Sequence, residues 1–201
     1  MPLRHKLFIG GGKMKIIVGI TGASGSIYGL RLIEVLKEAG HQVHAVLTDS
    51  GEQVVKYECP DIYKRIIDSV DMLHDVHNIG ASIASGSFRA DAMVVVPASM
   101  KTVASIASGV TDNLLTRAAD VMLKEGRQLI LVPREAPMHA GHLENLLKAA
   151  RIGAVIIPAS PGFYHHPATV MDLVDMLVGK ICDRLSIEND LFRRWDGTTE
   201  L

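Results

Sequence analysis

Apolar residues in this chain gather into short continuous runs rather than strict alternation with polar ones. Ile16-Ile17-Val18-Gly19-Ile20 comes first and Val43-His44-Ala45-Val46-Leu47 second, followed by Ala92-Met93-Val94-Val95-Val96, Leu129-Ile130-Leu131-Val132 and Ala154-Val155-Ile156-Ile157. Unbroken runs rich in β-branched residues predict strands covered on both faces, the condition of a parallel sheet. Pro97, Pro133 and Pro158 follow the last three runs. Lacking an N–H, each is expected to stop its strand at the carboxyl end and open a loop there.

Between the runs the period changes to that of helices. Helices are predicted from Ile27 to Leu36, stopping at Ala39-Gly40, and over Ser50 to Tyr57, Ile62 to Ile67, Met100 to Ser108, Asp112 to Glu125, Leu143 to Ala150 and Thr169 to Leu185. The last carries Val170, Leu173, Val174, Leu177, Val178, Ile181 and Leu185 on one stripe. Val70 to His77 reads as a further short strand. This alternation predicts a three-layer, doubly wound α/β fold, in which ligands bind at the carboxyl ends of the strands. Met93-Val94-Val95-Val96-Pro97-Ala98-Ser99 and Ala154-Val155-Ile156-Ile157-Pro158-Ala159-Ser160 echo one another, as two loops meeting the same geometric demand.

A length of 201 residues, 48% of them hydrophobic, suits one core, so a single domain is expected over 14–201. Residues 1–13 read as a disordered leader, with Met14 an alternative start; their apolar stretch is too short for a signal sequence or a membrane span. Lys and Arg (21) nearly balance Asp and Glu (22) for a net charge of -1. That balance argues against a nucleic-acid partner. Cys59 and Cys182 stand far apart, which suggests neither a disulfide framework nor a zinc site and fits a reducing cytoplasm.

Several loops at the expected ligand edge carry candidate chemistry. Thr21-Gly22-Ala23-Ser24-Gly25-Ser26 joins the first strand to the first helix, where free N–H groups and the positive helix end can hold a phosphate. The spacing is not that of a dinucleotide fingerprint, and a purely structural tight turn is the alternative. Arg117 and Lys124 stand two turns apart on one helical face, able to grip a phosphate or simply to pair with Asp120 and Glu125 on a solvated face. Pro133-Arg134-Glu135-Ala136-Pro137 fixes a cation and a carboxylate where a strand emerges. Glu135 is either an acid or base tuned by burial or half of an internal ion pair.

In Gly162-Phe163-Tyr164-His165-His166-Pro167, Tyr164 can donate to a phosphate oxygen. His139 with His142, and His74 with His77, have helical spacing but no partners completing a metal shell, and read as helix caps and surface histidines. Met122, Met171 and Met176 read as core filler.

Thr21-Gly22-Ala23-Ser24-Gly25, Pro97-Ala98-Ser99-Met100-Lys101-Thr102, Arg117-Ala118-Ala119-Asp120, Leu123-Lys124-Glu125, Val132-Pro133-Arg134-Glu135-Ala136-Pro137 and Gly162-Phe163-Tyr164-His165 appear in this order. Together they resemble the UbiX family of flavin prenyltransferases, including the B subunits of phenolic acid decarboxylase systems, from about Met14 to Trp195. The resemblance implies a Rossmann/flavodoxin-like flavoprotein. Its reaction joins a dimethylallyl group from dimethylallyl monophosphate to reduced FMN at N5 and C6 without a metal, giving prenylated FMN for a partner UbiD-type decarboxylase.

By the resemblance, Gly22, Ala23, Ser24, Thr48, Ser99, Met100, Lys101, Thr102 and Arg134 hold FMN. Arg117, Lys124, Tyr164 and Lys180 surround the donor phosphate, and Ser24 and Glu135 handle protons. The family commonly has arginine at the position of Lys180, so the two-pronged grip is lost there while the charge stays. Trp195 closes the pocket or anchors a neighbouring subunit. The resemblance also implies a symmetric homo-oligomer, a dodecamer, with active sites at subunit contacts. Competing readings are a flavin-dependent decarboxylase of the same superfamily, against which the absence of a Pro-Ala-Ser-Ala-Asn-Thr sequence speaks, and a non-catalytic FMN carrier or assembly subunit.

Overall fold

Six parallel strands in the order β3-β2-β1-β4-β5-β6 form one sheet in a computed structural model that describes residues 12–195 and 197. The strands are β1 (Lys15–Ile20), β2 (Gln42–Leu47), β3 (Met72–His74), β4 (Ala92–Ala98), β5 (Gln128–Pro133) and β6 (Val155–Ile156). The helices are α1 (Ser26–Glu38), α2 (Asp49–Glu58), α3 (Pro60–Asp68), α4 (Met100–Ser108), α5 (Leu114–Lys124), α6 (Ala140–Arg151) and α7 (Val170–Arg184). The leader expected over 1–13 falls mostly outside the described residues.

Two apolar clusters cover the two faces. Alternate residues Ile16, Val18 and Ile20 of β1 pack with Leu30 and Ile33 of α1 and with Val178 and Ile181 of α7. Ile17 looks the other way, joining Met93, Val95, Val103, Leu115 and Leu131 beneath α4 and α5. This two-sided burial is why the strand sequences do not alternate. The chain winds outward from β1 to β3, then returns to place β4 on β1's other side. The carboxyl ends of β1 and β4 therefore diverge into a crevice, the position at which such sheets bind ligands.

Several boundaries differ from those expected. Pro97 and Pro133 do not stop their strands, since β4 runs to Ala98 and β5 includes Pro133. The β4–β5 register shifts between Val95 and Ala98, which accommodates Pro97 without a donated hydrogen bond. Only Met72–His74 of the stretch Val70 to His77 is strand. Asp71 instead accepts hydrogen bonds from the Val43 amide at 2.8 Å and Lys37 Nζ at 2.6 Å. Helix α5 begins at Leu114 rather than Asp112 because Asn113 and Thr116 close a capping box. Helix α6 begins at Ala140, earlier than Leu143, and a short 3-10 turn at Ser82–Ala84 had no forecast.

Candidate active site

Three helices begin at the crevice. Thr48 caps α2 through the Gly51 amide, Ser99 caps α4 through the Thr102 amide, and Asn113 caps α5 through the Thr116 amide. Their first turns enclose a cavity of about 290 Å³, lined by Thr48, Ser50, Ser99, Lys101, Thr102 and Asn113 among others. Hydroxyls, uncapped first-turn N–H groups, three positive helix ends and the Lys101 ammonium form a donor set suited to a phosphate monoester. Asp49 and Asp112 also border it, but Asp49 faces His77 at 3.0 Å, and Asp112 accepts from Asn113 and Thr116 side chains. The Thr21 hydroxyl ties the two diverging strands by donating to the Pro97 carbonyl at 2.7 Å and accepting from the Ser99 amide at 2.7 Å.

The glycine-rich turn is built differently from the phosphate loop its sequence suggests. Gly25 adopts φ 99°, a left-handed conformation that favours glycine, and caps α1 without a side chain. The anion at this helix start is the protein's own. The Glu58 carboxylate, from the last residue of α2, accepts the Gly25 amide at 3.0 Å and the Ser26 amide at 2.9 Å. These donors are thus taken, which corrects the expectation of a phosphate at that helix end. Burial works against the charged form of Glu58, but hydrogen bonds from Ser24 and from the Ser26 and Gly25 amides prevail and hold its carboxyl below the usual range.

Arg134 and Glu135 do not pair with one another. Arg134 Nε donates to the Ser24 carbonyl at 3.1 Å, and Glu135 Oε1 accepts the Ala136 amide at 3.1 Å. The first contact pins the loop after β5 onto the loop after β1, so Arg134 and Glu58 both meet the Ser24 turn.

None of the remaining candidates lines the cavity. Arg117 bonds Asp120 at 2.9 Å and the Ala84 carbonyl at 3.2 Å, and Lys124 pairs with Glu125. Helix α5 descends from the crevice and spans 11 residues, so Lys124 lies about 16 Å along it. It ends near Gln128, where β5 begins, at the opposite edge of the sheet. Tyr164 and Lys180 belong to an aromatic patch: Tyr164 meets Trp195 edge-on at 6.3 Å, and Lys180 Nζ lies 5.3 Å from the Phe192 ring. Ala23 and the Met100 side chain are buried, leaving backbone groups to contact a ligand.

A family model described as Flavoprotein matches residues 11–186. The flavin prenyltransferase UbiX of Methanothermobacter thermautotrophicus is 48% identical over 182 residues, spanning 90% of this chain and 95% of that protein. This chain belongs to the UbiX family of flavin prenyltransferases. The crystal structure of AnUbiX in complex with FMN and dimethylallyl pyrophosphate matches this UbiX chain with a TM-score of 0.90 and 41% identity, covering 93% of it and 100% of AnUbiX. A dodecameric FMN-dependent UbiX-like decarboxylase from Escherichia coli O157:H7 matches with a TM-score of 0.88 and 43% identity, over 92% of this chain and 100% of that one. The flavodoxin-like flavoprotein fold expected from the motifs is the fold observed.

Among the described residues of this UbiX chain no group of three or more His, Cys, Asp or Glu is placed to hold a metal ion, and no helix is long and apolar enough to cross a membrane. Both cysteines are buried free thiols. Two minor readings change. His74 is not a surface histidine but half-buried, its Nε2 2.9 Å from Nδ1 of His44. Met171 is 41% exposed rather than core filler, while Met122 and Met176 are buried. Sequence reasoning passed over Glu58, whose role depends on how α2 leans on α1. It also missed Asn113 and Thr116 at the cavity, although their capping-box spacing was a usable signal.

Proposed function

We infer that this UbiX-family chain transfers the dimethylallyl group of dimethylallyl monophosphate to reduced FMN, in the cytoplasm, and hands prenylated FMN to a UbiD-type decarboxylase. One observation supports the assignment of roles: Arg134 on the Ser24 carbonyl ties the loop that carries Glu135 to the loop that carries Ser24, at the carboxyl edge of the sheet where the cavity at the start of α4 also opens.

In this reading the FMN phosphate occupies the cavity at the start of α4, held by Ser99, Lys101, Thr102, Thr48 and the Met100 amide. Arg134 and the backbone of Gly22, Ala23 and Ser24 border the ring. Reduced FMN supplies the nucleophilic ring atoms. The chain's task is to hold the donor's phosphate while the allylic C–O bond breaks, keep water away from the developing cation, and move protons. Arg117, Lys124, Tyr164 and Lys180 neutralise the phosphate. Glu135 protonates it as it departs, and the Ser24 hydroxyl, bonded to Glu58, relays the proton released at ring closure to that carboxylate.

Lys124 cannot reach this edge within its own protomer, so a second copy supplies it. That need supports a homo-oligomer with sites at subunit contacts, and the dodecamer described for the Escherichia coli O157:H7 relative is the assembly proposed here.

The reading is tested by anaerobic phosphate release from dimethylallyl monophosphate. Release that depends on reduced FMN, coupled to activation of an apo UbiD-type decarboxylase by the released flavin, supports it. Donor turnover without flavin, or a flavin that leaves the decarboxylase inactive, overturns it.

A further inference from the structure

The segment following α7 folds back onto that helix and ends against Tyr164. Ser186 takes φ 60°, and the Ile187 amide donates to the Cys182 carbonyl at 2.9 Å, a left-handed helix end that reverses the chain. Phe192 is the apolar anchor. It is 9% exposed, and a Cβ added to Gly179 would lie 2.6 Å from its Cδ1, so the ring sits directly on the helix backbone. Asn189 bridges the Gly179 carbonyl and Asp183.

Beyond the anchor, a charge pair sets the direction of the chain. Arg194 grips Asp183 with both terminal nitrogens, at 2.9 and 2.7 Å, and its guanidinium lies 5.2 Å from the Phe192 ring. The next residue is Trp195, which is 62% exposed and meets Tyr164 at an interplanar angle of 80°. Phe192 also touches His165, with ring centroids 6.4 Å apart, and His165 in turn faces the Asp172 carbonyl of α7 at 3.3 Å. Neither Asp183 nor Arg194 lines the crevice. Together they fix where Trp195 stands, and Trp195 walls one side of the Tyr164 phenol.

We propose that the Asp183–Arg194 pair is a positioning latch: it holds the C-terminal segment in register on α7 so that Trp195 buttresses Tyr164. The latch thereby sets the phenol that receives the prenyl donor's phosphate. It rests on the assignment of Tyr164 to the donor phosphate. Asp183 and Arg194 act here as positioning residues, through Trp195, and neither lines the cavity.

Trp195 is the single tryptophan of the chain, so its fluorescence reports the latch without a label. In the full chain, Asp183→Asn is expected to lower Trp195 anisotropy and increase its quenching by acrylamide. The KM for dimethylallyl monophosphate should rise about fivefold, with kcat and FMN affinity nearly unchanged. The reciprocal exchange, Asp183→Arg with Arg194→Asp, should restore both readouts in part. Unchanged fluorescence in Asp183→Asn overturns the latch, as does a loss of kcat in proportion to unfolded protein with KM constant. If the unmodified protein transfers no prenyl group, the functional reading fails instead, and the fluorescence alone decides whether the latch exists.

Discussion

The Glu58 carboxylate accepts the Ser26 amide at 2.9 Å, joining the last residue of α2 to the first turn of α1. The glycine-rich turn of this flavoprotein therefore carries a built-in anion at its helix start, and the donor-lined cavity opens one strand away, at the start of α4.

Replacing that anion tests its role. Glu58→Gln keeps the shape and removes the charge, and is expected to lower stability by about 0.5 to 1 kcal/mol. Because the folded carboxyl titrates below its ordinary value of 4.5, its contribution is complete above that pH and lost as pH falls through the folded value. Urea midpoints measured between neutral and strongly acidic pH should converge for the two proteins at the acidic end. A constant gap would exclude the assigned linkage.

Lys101 separates phosphate recognition from ring recognition. Lys101→Met should weaken FMN binding about tenfold, the scale of one charge-assisted contact, while riboflavin affinity stays unchanged. Equal losses for both flavins, read by equilibrium titration, would move the phosphate out of the cavity.

Glu135→Gln separates binding from chemistry. Flavin affinity should hold, and prenyl transfer should fall by about two orders of magnitude, as expected when a positioned proton donor is removed. An unchanged rate would remove Glu135 from the mechanism.

The His44–His74 pair predicts a second pH dependence. Burial, then the proximity of His74 and Lys15 against an opposing pull from Asp71, lowers the His44 value, and burial lowers that of His74. The unfolded chain therefore takes up protons first as pH drops below about 6.5, and stability declines from that point toward the lower folded values. His74→Gln should flatten this slope in thermal melts between neutral pH and pH 5; an unaltered slope would mean that the pair does not titrate this way.

The sheet was readable because strands such as Val94 and Ile130, buried on both faces, must be apolar throughout. The prolines misled for a local reason: Pro97 lies in a strand whose register shifts around it, and no pattern of residue types shows that. The edge strand β3 was blurred because Met72 and Leu73 are exposed and have no core to impose a pattern. At the cavity, Ser99, Lys101 and Thr102 were legible as neighbours because the helix cap and the cavity lining fall within one helical turn. Glu58 was not, since its partners Gly25 and Ser26 meet it only through tertiary packing. Lys124 and Arg134 look equally close to the chemistry in sequence, yet α5 carries Lys124 to the far edge while the loop after β5 leaves Arg134 on Ser24.

The most direct measurement is the mass of the flavin released after anaerobic incubation of the protein with reduced FMN and dimethylallyl monophosphate. A gain of one dimethylallyl unit, abolished by omitting the donor, is the predicted result. Unmodified FMN recovered from a protein shown to bind both substrates would contradict the account.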